Sequence, residues 1–365
     1  MRAPWLLLGI GAAAAPWACG QDATPASDAP GDGGADAPSA DAPLADGATP
    51  PPEDAARDST PADGPTPPRD AGPCGQRGGM RGLTKRQLTV AGLARTYLVY
   101  LPQAPAPGTP IPLVYVFHGY TMSGQQMHDI TQYAQIADKD GIAVVFPDGQ
   151  GGPDSLGYPW NVENGGQVVC GAGQGASAPG DDFAFMDAMK ADVALDQCVD
   201  DAHVFSAGFS MGAYFSHHVG CYRGDVRAIA PHSGGTLADL SACTTKHVPA
   251  IIFHGTSDGV IAEGCDDPAG TALAGFPASA TLWAAKNGCQ KTYTTIPTNG
   301  AGGGNGQCYL YDGCPADGQV EVCTFTGMIH CWAGGSTAGA GAASACPTYA
   351  SATDLQWAFF KKYAW

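Results

Sequence analysis

Ser210 stands at the centre of Gly208-Phe209-Ser210-Met211-Gly212, directly after the apolar run Val204-Phe205-Ser206-Ala207 and before a stretch of helical periodicity, Ala213 to Gly220. A serine on a sharp strand-to-helix turn is held in a strained backbone conformation, and glycines two positions either side remove the clash that bulkier residues would make. Its hydroxyl is then exposed as a nucleophile. That chemistry needs a base to take the hydroxyl proton and an acid to hold the base in the right tautomer. With 52 glycines in 365 residues the pentapeptide alone is weak evidence, so its partners and setting must carry the reading.

On such a turn the chain order of the three groups is nucleophile, acid, histidine. Six histidines follow Ser210, namely His217, His218, His232, His247, His254 and His330. Only His330 leaves ample room for an acid at a strand end upstream of it, and it lies in a short loop, Gly327 to Trp332, after the strand Val320 to Phe325. Among the intervening carboxylates Asp258 stands out, because His254-Gly255-Thr256-Ser257-Asp258-Gly259 directly follows the strand Ala250 to Phe253. Parallel sheets place their chemistry at strand carboxyl ends. Asp266 and Asp267 are the reserve candidates, and an ordinary Asp-Gly turn is the competing reading of Asp258. A tetrahedral intermediate also needs two N–H donors. One is the amide of Met211; the other is expected from His118-Gly119-Tyr120, after the strand Ile111 to Phe117, with the Tyr120 amide as donor and His118 as a structural residue.

The elements that must position these groups read as follows. Gln87 to Val90 and Arg95 to Leu101 alternate like an antiparallel pair, and Ile111 to Phe117 and Ile142 to Phe146 read as buried parallel strands. Helical periodicity covers Gln125 to Ala137, Phe183 to Leu195, a segment near Ala278 to Lys286, and Thr353 to Lys362. Ala228 to Ala230, Ala250 to His254, a strand around Tyr293 and Val320 to Phe325 complete the strands. Alternating strands and helices imply an α/β class chain with a mostly parallel sheet covered on both faces, the α/β-hydrolase architecture. Gly165 to Gly180 and Gly300 to Gly306 read as inserted surface loops.

Composition divides the chain into three. Residues 1–19 carry Arg2, then an apolar segment Trp5 to Ala15, too short to span a bilayer, and read as an export signal. Cys19 is either a bystander or the lipid-bearing cysteine of a surface lipoprotein. Residues 20–73 hold twelve of the thirty prolines, no aromatic residue and a single large aliphatic, Leu44, so they are expected to form a disordered linker. Residues 74–365 are long enough for one large domain. A net charge of −17 argues against nucleic acid as a partner. Without Cys19 the chain has twelve cysteines, an even number that in an exported protein suggests up to six disulfides. Cys198 and Cys221, which flank the strand and helix around Ser210, are suspected to be joined. Close CxxC or HxxxH metal pairs are absent from the sequence, and serine chemistry of this kind needs no cofactor.

With these pieces placed, the domain resembles the secreted feruloyl esterase and poly(3-hydroxybutyrate) depolymerase family, which includes the first carbohydrate esterase family. The likeness runs from about Arg95 to Trp332. It is carried by Pro112-Leu113-Val114 leading to His118-Gly119, by Cys198-Val199-Asp200 through Gly208 to Gly212 with Cys221, by His254 to Asp258, by Trp283 to Cys289, and by Gly327 to Trp332. The resemblance implies a catalytic triad of Ser210, Asp258 and His330. It also implies an extracellular carboxylic ester hydrolase, acting on polysaccharide-linked hydroxycinnamates, acetylated xylan or polyester. The chain departs from many members in having Tyr120 where they carry cysteine and Ala213 where a glycine is common. Related fungal enzymes tether serine and histidine through neighbouring cysteines; Phe209 precedes the serine here, so Cys331 is expected to pair elsewhere.

Trp160, next to Asn161, and Trp332 are candidate substrate contacts, since aromatic faces suit both ferulate rings and sugars; core packing is the competing reading. A monomer acting on a polymeric ester is expected. Two rival functions are a secreted peptidase of the same fold and a non-catalytic surface-binding lipoprotein.

Overall fold

The computed structural model describes residues 73–150, 160–161, 181–236, 240–261, 277–296, 298, 306–338 and 344–364. The signal segment with Cys19, the linker apart from Pro73, both Gly-rich stretches but for Gly306, and the reserve acids Asp266 and Asp267 lie outside the described residues.

Among the described residues ten strands form one sheet. In chain order they are β1 Gly82–Val90, β2 Leu93–Leu101, β3 Ile111–Phe117, β4 Ala143–Pro147, β5 Val199–Phe209, β6 Ala228–His232, β7 Ala250–Gly255, β8 Tyr293–Ile296, β9 Gly306–Tyr311 and β10 Val320–Phe325. Their spatial order is β1-β2-β4-β3-β5-β6-β7-β10-β9-β8. The six central strands from β4 to β10 are parallel, and antiparallel strands close both edges. This is the α/β-hydrolase class of sheet. Every residue of β3, β4, β6 and β7 is buried, which is why these strands read as unbroken apolar runs rather than alternating ones. Two short strands, β11 Trp332–Ala333 and β12 Ala345–Cys346, pair separately.

Helices cover both faces. On one face α3 (Asp182–Asp196), α4 (Met211–Tyr222) and α5 (Ala278–Lys286) contribute Phe185, Met189, Phe215, Val219 and Trp283 to a continuous core. On the other, α1 (Gly124–Thr131), α2 (Tyr133–Asp140) and α6 (Ala352–Phe360) contribute Met127, Tyr133, Trp357 and Phe360. The single helix expected over Gln125 to Ala137 is two helices, because Gln132 takes a left-handed conformation at φ 59°. A tertiary bond accompanies the break: the Thr353 hydroxyl donates to the Thr131 carbonyl at 2.7 Å.

Five disulfides join described residues: Cys74–Cys198, Cys221–Cys243, Cys289–Cys314, Cys308–Cys323 and Cys331–Cys346. The suspected Cys198–Cys221 bridge is therefore incorrect. Each of those cysteines is held by a nearer partner. The Gly75 and Arg77 amides donate to Ala194 and Leu195 at the end of α3, which brings Cys74 to Cys198, and the Thr244 and Thr245 amides both donate to the Cys221 carbonyl, which brings Cys243 to Cys221.

Five imidazoles are buried among the described residues, those of His118, His217, His218, His232 and His254. Burial pushes His118 down to about 4, His217 to about 3, His218 to about 4 and His232 well below the usual 6.5. The unfolded chain therefore takes up protons before the folded one does, and stability falls as pH drops from 6.5 towards 4. Each group contributes up to about 1.4 kcal/mol per pH unit, so the four together cost up to about 5 kcal/mol between pH 7.5 and 5.5. Urea unfolding at those two pH values is expected to show a clearly lower midpoint at pH 5.5; equal midpoints would contradict neutral, buried imidazoles.

Candidate active site

β5 ends at Phe209 and α4 begins at Met211, leaving Ser210 to make the turn alone at φ 55°, ψ −119°. A left-handed serine costs on the order of 1–3 kcal/mol and persists only where its surroundings over-determine it. They do so here. A Cβ at Gly208 would lie 2.2 Å from the Gly212 carbonyl oxygen, and a Cβ at Gly212 would lie 2.2 Å from that of Phe117. Only glycine at both positions lets α4 start this close to β5 and to the exit of β3. The Ser210 amide donates to the His232 carbonyl at 2.9 Å, and the Ser210 carbonyl accepts from the Ala213 and Tyr214 amides. Ser210 itself is partly exposed at the carboxyl edge of the sheet.

Asp258 and His330 meet. Their loops follow β7 and β10, which are parallel neighbours with Gly255 opposite Phe325. The loops are stitched together by the Thr256 amide to the Phe325 carbonyl (3.0 Å), the Ser257 amide to the Met328 carbonyl (3.0 Å) and the Gly327 amide to the Thr256 hydroxyl (2.9 Å). The result is a 2.7 Å contact between His330 Nδ1 and Asp258 Oδ2. The other carboxylate oxygen, Oδ1, accepts the Val260 and Ile261 amides, each at 2.9 Å. Burial of Asp258 opposes its ionisation, but the His330 hydrogen bond and charge, the Ile261 amide and nearby His254 outweigh it and hold the carboxyl below its usual range. A carboxylate so placed fixes the proton of His330 on Nδ1 and leaves Nε2 as the basic nitrogen. The His330 ring lies 4.8 Å from that of Phe209, the residue before the serine. Cys331, paired with Cys346, anchors the loop just beyond.

Both expected oxyanion donors belong to backbone that closes on Ser210. Met211 is the first residue of α4, and first-turn amides have no acceptor within their own helix. Tyr120 lies in a tight turn closed by the Met122 amide on the Gly119 carbonyl at 3.0 Å; a Cβ on Gly119 would stand 3.1 Å from the Ser210 Cβ. His118 holds this turn from behind. Its Nε2 accepts the Gly149 amide at 2.9 Å, so its proton sits on Nδ1, which donates to the Gly119 carbonyl at 2.7 Å.

Trp160 and Trp332, the candidate substrate contacts, are core residues. Trp160 is fully buried against Phe117 and Phe215, with its indole N–H on the His118 carbonyl at 2.8 Å. Trp332 is 1% exposed, stacks on His232 and donates to the Thr353 hydroxyl. Both are thus packed in the core, the competing reading of each. The backbone N–H of neighbouring Asn161 donates to Asp182, which forms a buried ion pair with Arg95 at 2.7 Å. Exposed apolar side chains near the site come from its loops instead: Tyr120 (39% exposed), Val260 (53%) and Ile329 (58%). These residues were not singled out as contacts from sequence, because a lone apolar residue in a polar loop carries no periodic signal.

Residues 95–245 match the family described as esterase PHB depolymerase. Among similar proteins, feruloyl esterase B of Piromyces equi is 30% identical over 248 residues, covering 65% of this chain and 42% of that protein. Feruloyl esterase C of Emericella nidulans is 28% identical over 219 residues, covering 57% of this chain and 68% of that one. The chain thus spans less than half the length of the first of these relatives. An acetyl xylan esterase structure from Aspergillus awamori aligns at a TM-score of 0.48 and 15% identity over 68% of this chain and 94% of that one. Its family match over residues 95–245 and these relatives make the chain similar to the feruloyl esterases and poly(3-hydroxybutyrate) depolymerases.

Proposed function

We propose that this chain is an exported serine carboxylic ester hydrolase that works through an acyl-enzyme on Ser210. The observation that carries the reading is the 2.7 Å His330–Asp258 pair on the loops after β10 and β7, on the same carboxyl edge that presents Ser210 in a left-handed turn. His330 Nε2 takes the hydroxyl proton as Ser210 Oγ attacks the ester carbonyl carbon. The carbonyl oxygen becomes an oxyanion held by the Met211 and Tyr120 amides. His330 then gives the proton to the departing alcohol, leaving an acyl-serine. Water, deprotonated by His330, attacks this ester; collapse frees the carboxylic acid and returns the proton to Ser210. No cofactor takes part in these steps.

For substrate, the family match and the feruloyl esterase relatives favour hydroxycinnamoyl or acetyl esters of plant polysaccharide. The exposed Tyr120, Val260 and Ile329 suit an aromatic or apolar acyl group. Polyester of the poly(3-hydroxybutyrate) type is the second reading, favoured by the family description itself. The five disulfides fit an extracellular setting. Secretion, either free or with a lipid anchor on Cys19, and a monomeric state complete the proposal.

Chromatography of the exported protein incubated with methyl ferulate tests it. Release of ferulate is the expected result. Hydrolysis of short nitrophenyl esters without ferulate release would move the substrate to acetylated glycan or polyester, and failure on every ester would reject the reading.

A further inference from the structure

His232 ends β6 beneath the site, fully buried, and touches both halves of the proposed machinery. Its carbonyl accepts the Ser210 amide at 2.9 Å. Its ring Nε2 lies 3.1 Å from the Ala333 amide, three residues past His330. A backbone N–H can only donate, so Nε2 is unprotonated and the ring proton is on Nδ1, which faces the Ser233 hydroxyl at 3.0 Å. The ring is sandwiched between Phe253 at 5.5 Å (7° between planes) and Trp332 at 4.8 Å (19°), and it meets the edge of Phe209. Ser233 is itself left-handed at φ 53°, with its amide on the Phe253 carbonyl. Two strained residues just past the ends of neighbouring strands β5 and β6, Ser210 and Ser233, are thus linked through one histidine.

We propose that His232, as a neutral imidazole with its proton on Nδ1, is a positioning residue that sets the Ser210 turn and the His330 loop relative to one another. Its proposed effect on turnover rests on the reading of Ser210 as nucleophile and His330 as base. A core histidine serving packing alone would need only its ring; this one also spends Nε2 on the His330 loop and its carbonyl on the Ser210 turn, with Nδ1 on Ser233. Protonation would set a second N–H against that of Ala333 and push the histidine loop away. Burial, first, and then the like charges of His254 and His330 oppose protonation, while Asp258 favours it; the balance keeps the ring neutral.

Two variants of the full chain separate positioning from packing. His232→Phe keeps a ring between Phe253 and Trp332 but leaves the Ala333 amide without its acceptor. His232→Gln places an amide oxygen near the former Nε2. On a nitrophenyl ester, His232→Phe is expected to lose about 30- to 100-fold in kcat with KM within about twofold, the size of effect that a misplaced catalytic group produces. His232→Gln is expected to recover to within about fivefold of wild type. By NMR, His232 is expected to show a protonated Nδ1 and bare Nε2 from pH 5 to 8. The low-field proton on His330 Nδ1 is expected to persist in His232→Gln and to shift or vanish in His232→Phe. Wild-type kcat in His232→Phe, equal losses in both variants, or a ring protonated on Nε2 would overturn the proposal. A wild type inactive on esters would reject the esterase reading instead, and the ring and low-field signals would still decide the role of His232. Should His232→Phe fail to fold, the glutamine variant and the tautomer measurement decide it.

Discussion

Replacing Ser210 or His330 with alanine is expected to lower ester turnover by about 10⁶-fold, and the double replacement to cost hardly more than either alone. The two side chains act on one proton, so removing either breaks the same step. The fold has little stake in them. Ser210 is held in its turn by backbone bonds to His232, Ala213 and Tyr214 and by the glycines around it, none of which involves the hydroxyl. His330 has a partly exposed side chain, and its loop is carried by the Ser257 and Gly327 amide bonds and by Cys331–Cys346. Initial rates on a nitrophenyl ester, with circular dichroism to verify folding, check this. Additive losses in the double variant would contradict a shared step, and near wild-type rates in either single variant would reject its assignment.

Asp258→Asn is expected to cost about 10⁴-fold in kcat while leaving substrate binding nearly unchanged. The local geometry says why. Oδ1 accepts two backbone amides, from Val260 and Ile261, so an asparagine must turn its carbonyl oxygen towards them. Its NH₂ group then faces His330 Nδ1 and donates to it, which drives the imidazole proton onto Nε2. A base protonated on the nitrogen that faces Ser210 cannot accept the hydroxyl proton. The wild-type carboxyl, held below its usual range, also stabilises the folded state above the unfolded carboxyl value near 3.9, and that contribution disappears as pH falls through the folded value. Steady-state kinetics separates kcat from KM here. A tenfold loss or less would show that Asp258 does not set the tautomer.

The elements that carry chemistry were the legible ones. β3, β5 with α4, and β7 read directly, because strands buried on both faces are continuous apolar runs and the turn between β5 and α4 needs its glycines. Asp258 and His330 could be singled out because each follows such a strand. β9 escaped notice: only Cys308 and Tyr311 of its six residues are buried, so its pattern resembles a loop. The break at Gln132 was invisible for a different reason, since the α1 and α2 residues keep helical spacing and the tertiary bond at Thr131 comes from Thr353, far along the chain. The depth of Trp160 and Trp332 could not be read, because aromatic type says nothing of it; their burial depends on packing by Phe117, Phe215 and His232, from other elements. His232 looked like one more core histidine. Its three polar contacts lie on three different segments, and only their assembly reveals it.

Mass spectrometry of the intact protein trapped during turnover of a slowly hydrolysed aryl ester, followed by peptide mapping, tests the acyl-enzyme on Ser210 most directly. The expected result is a gain equal to one acyl group, located on the peptide carrying Ser210 and absent from Ser210→Ala. An acyl group on any other residue, or hydrolysis that persists in Ser210→Ala with no acylated form, would contradict it.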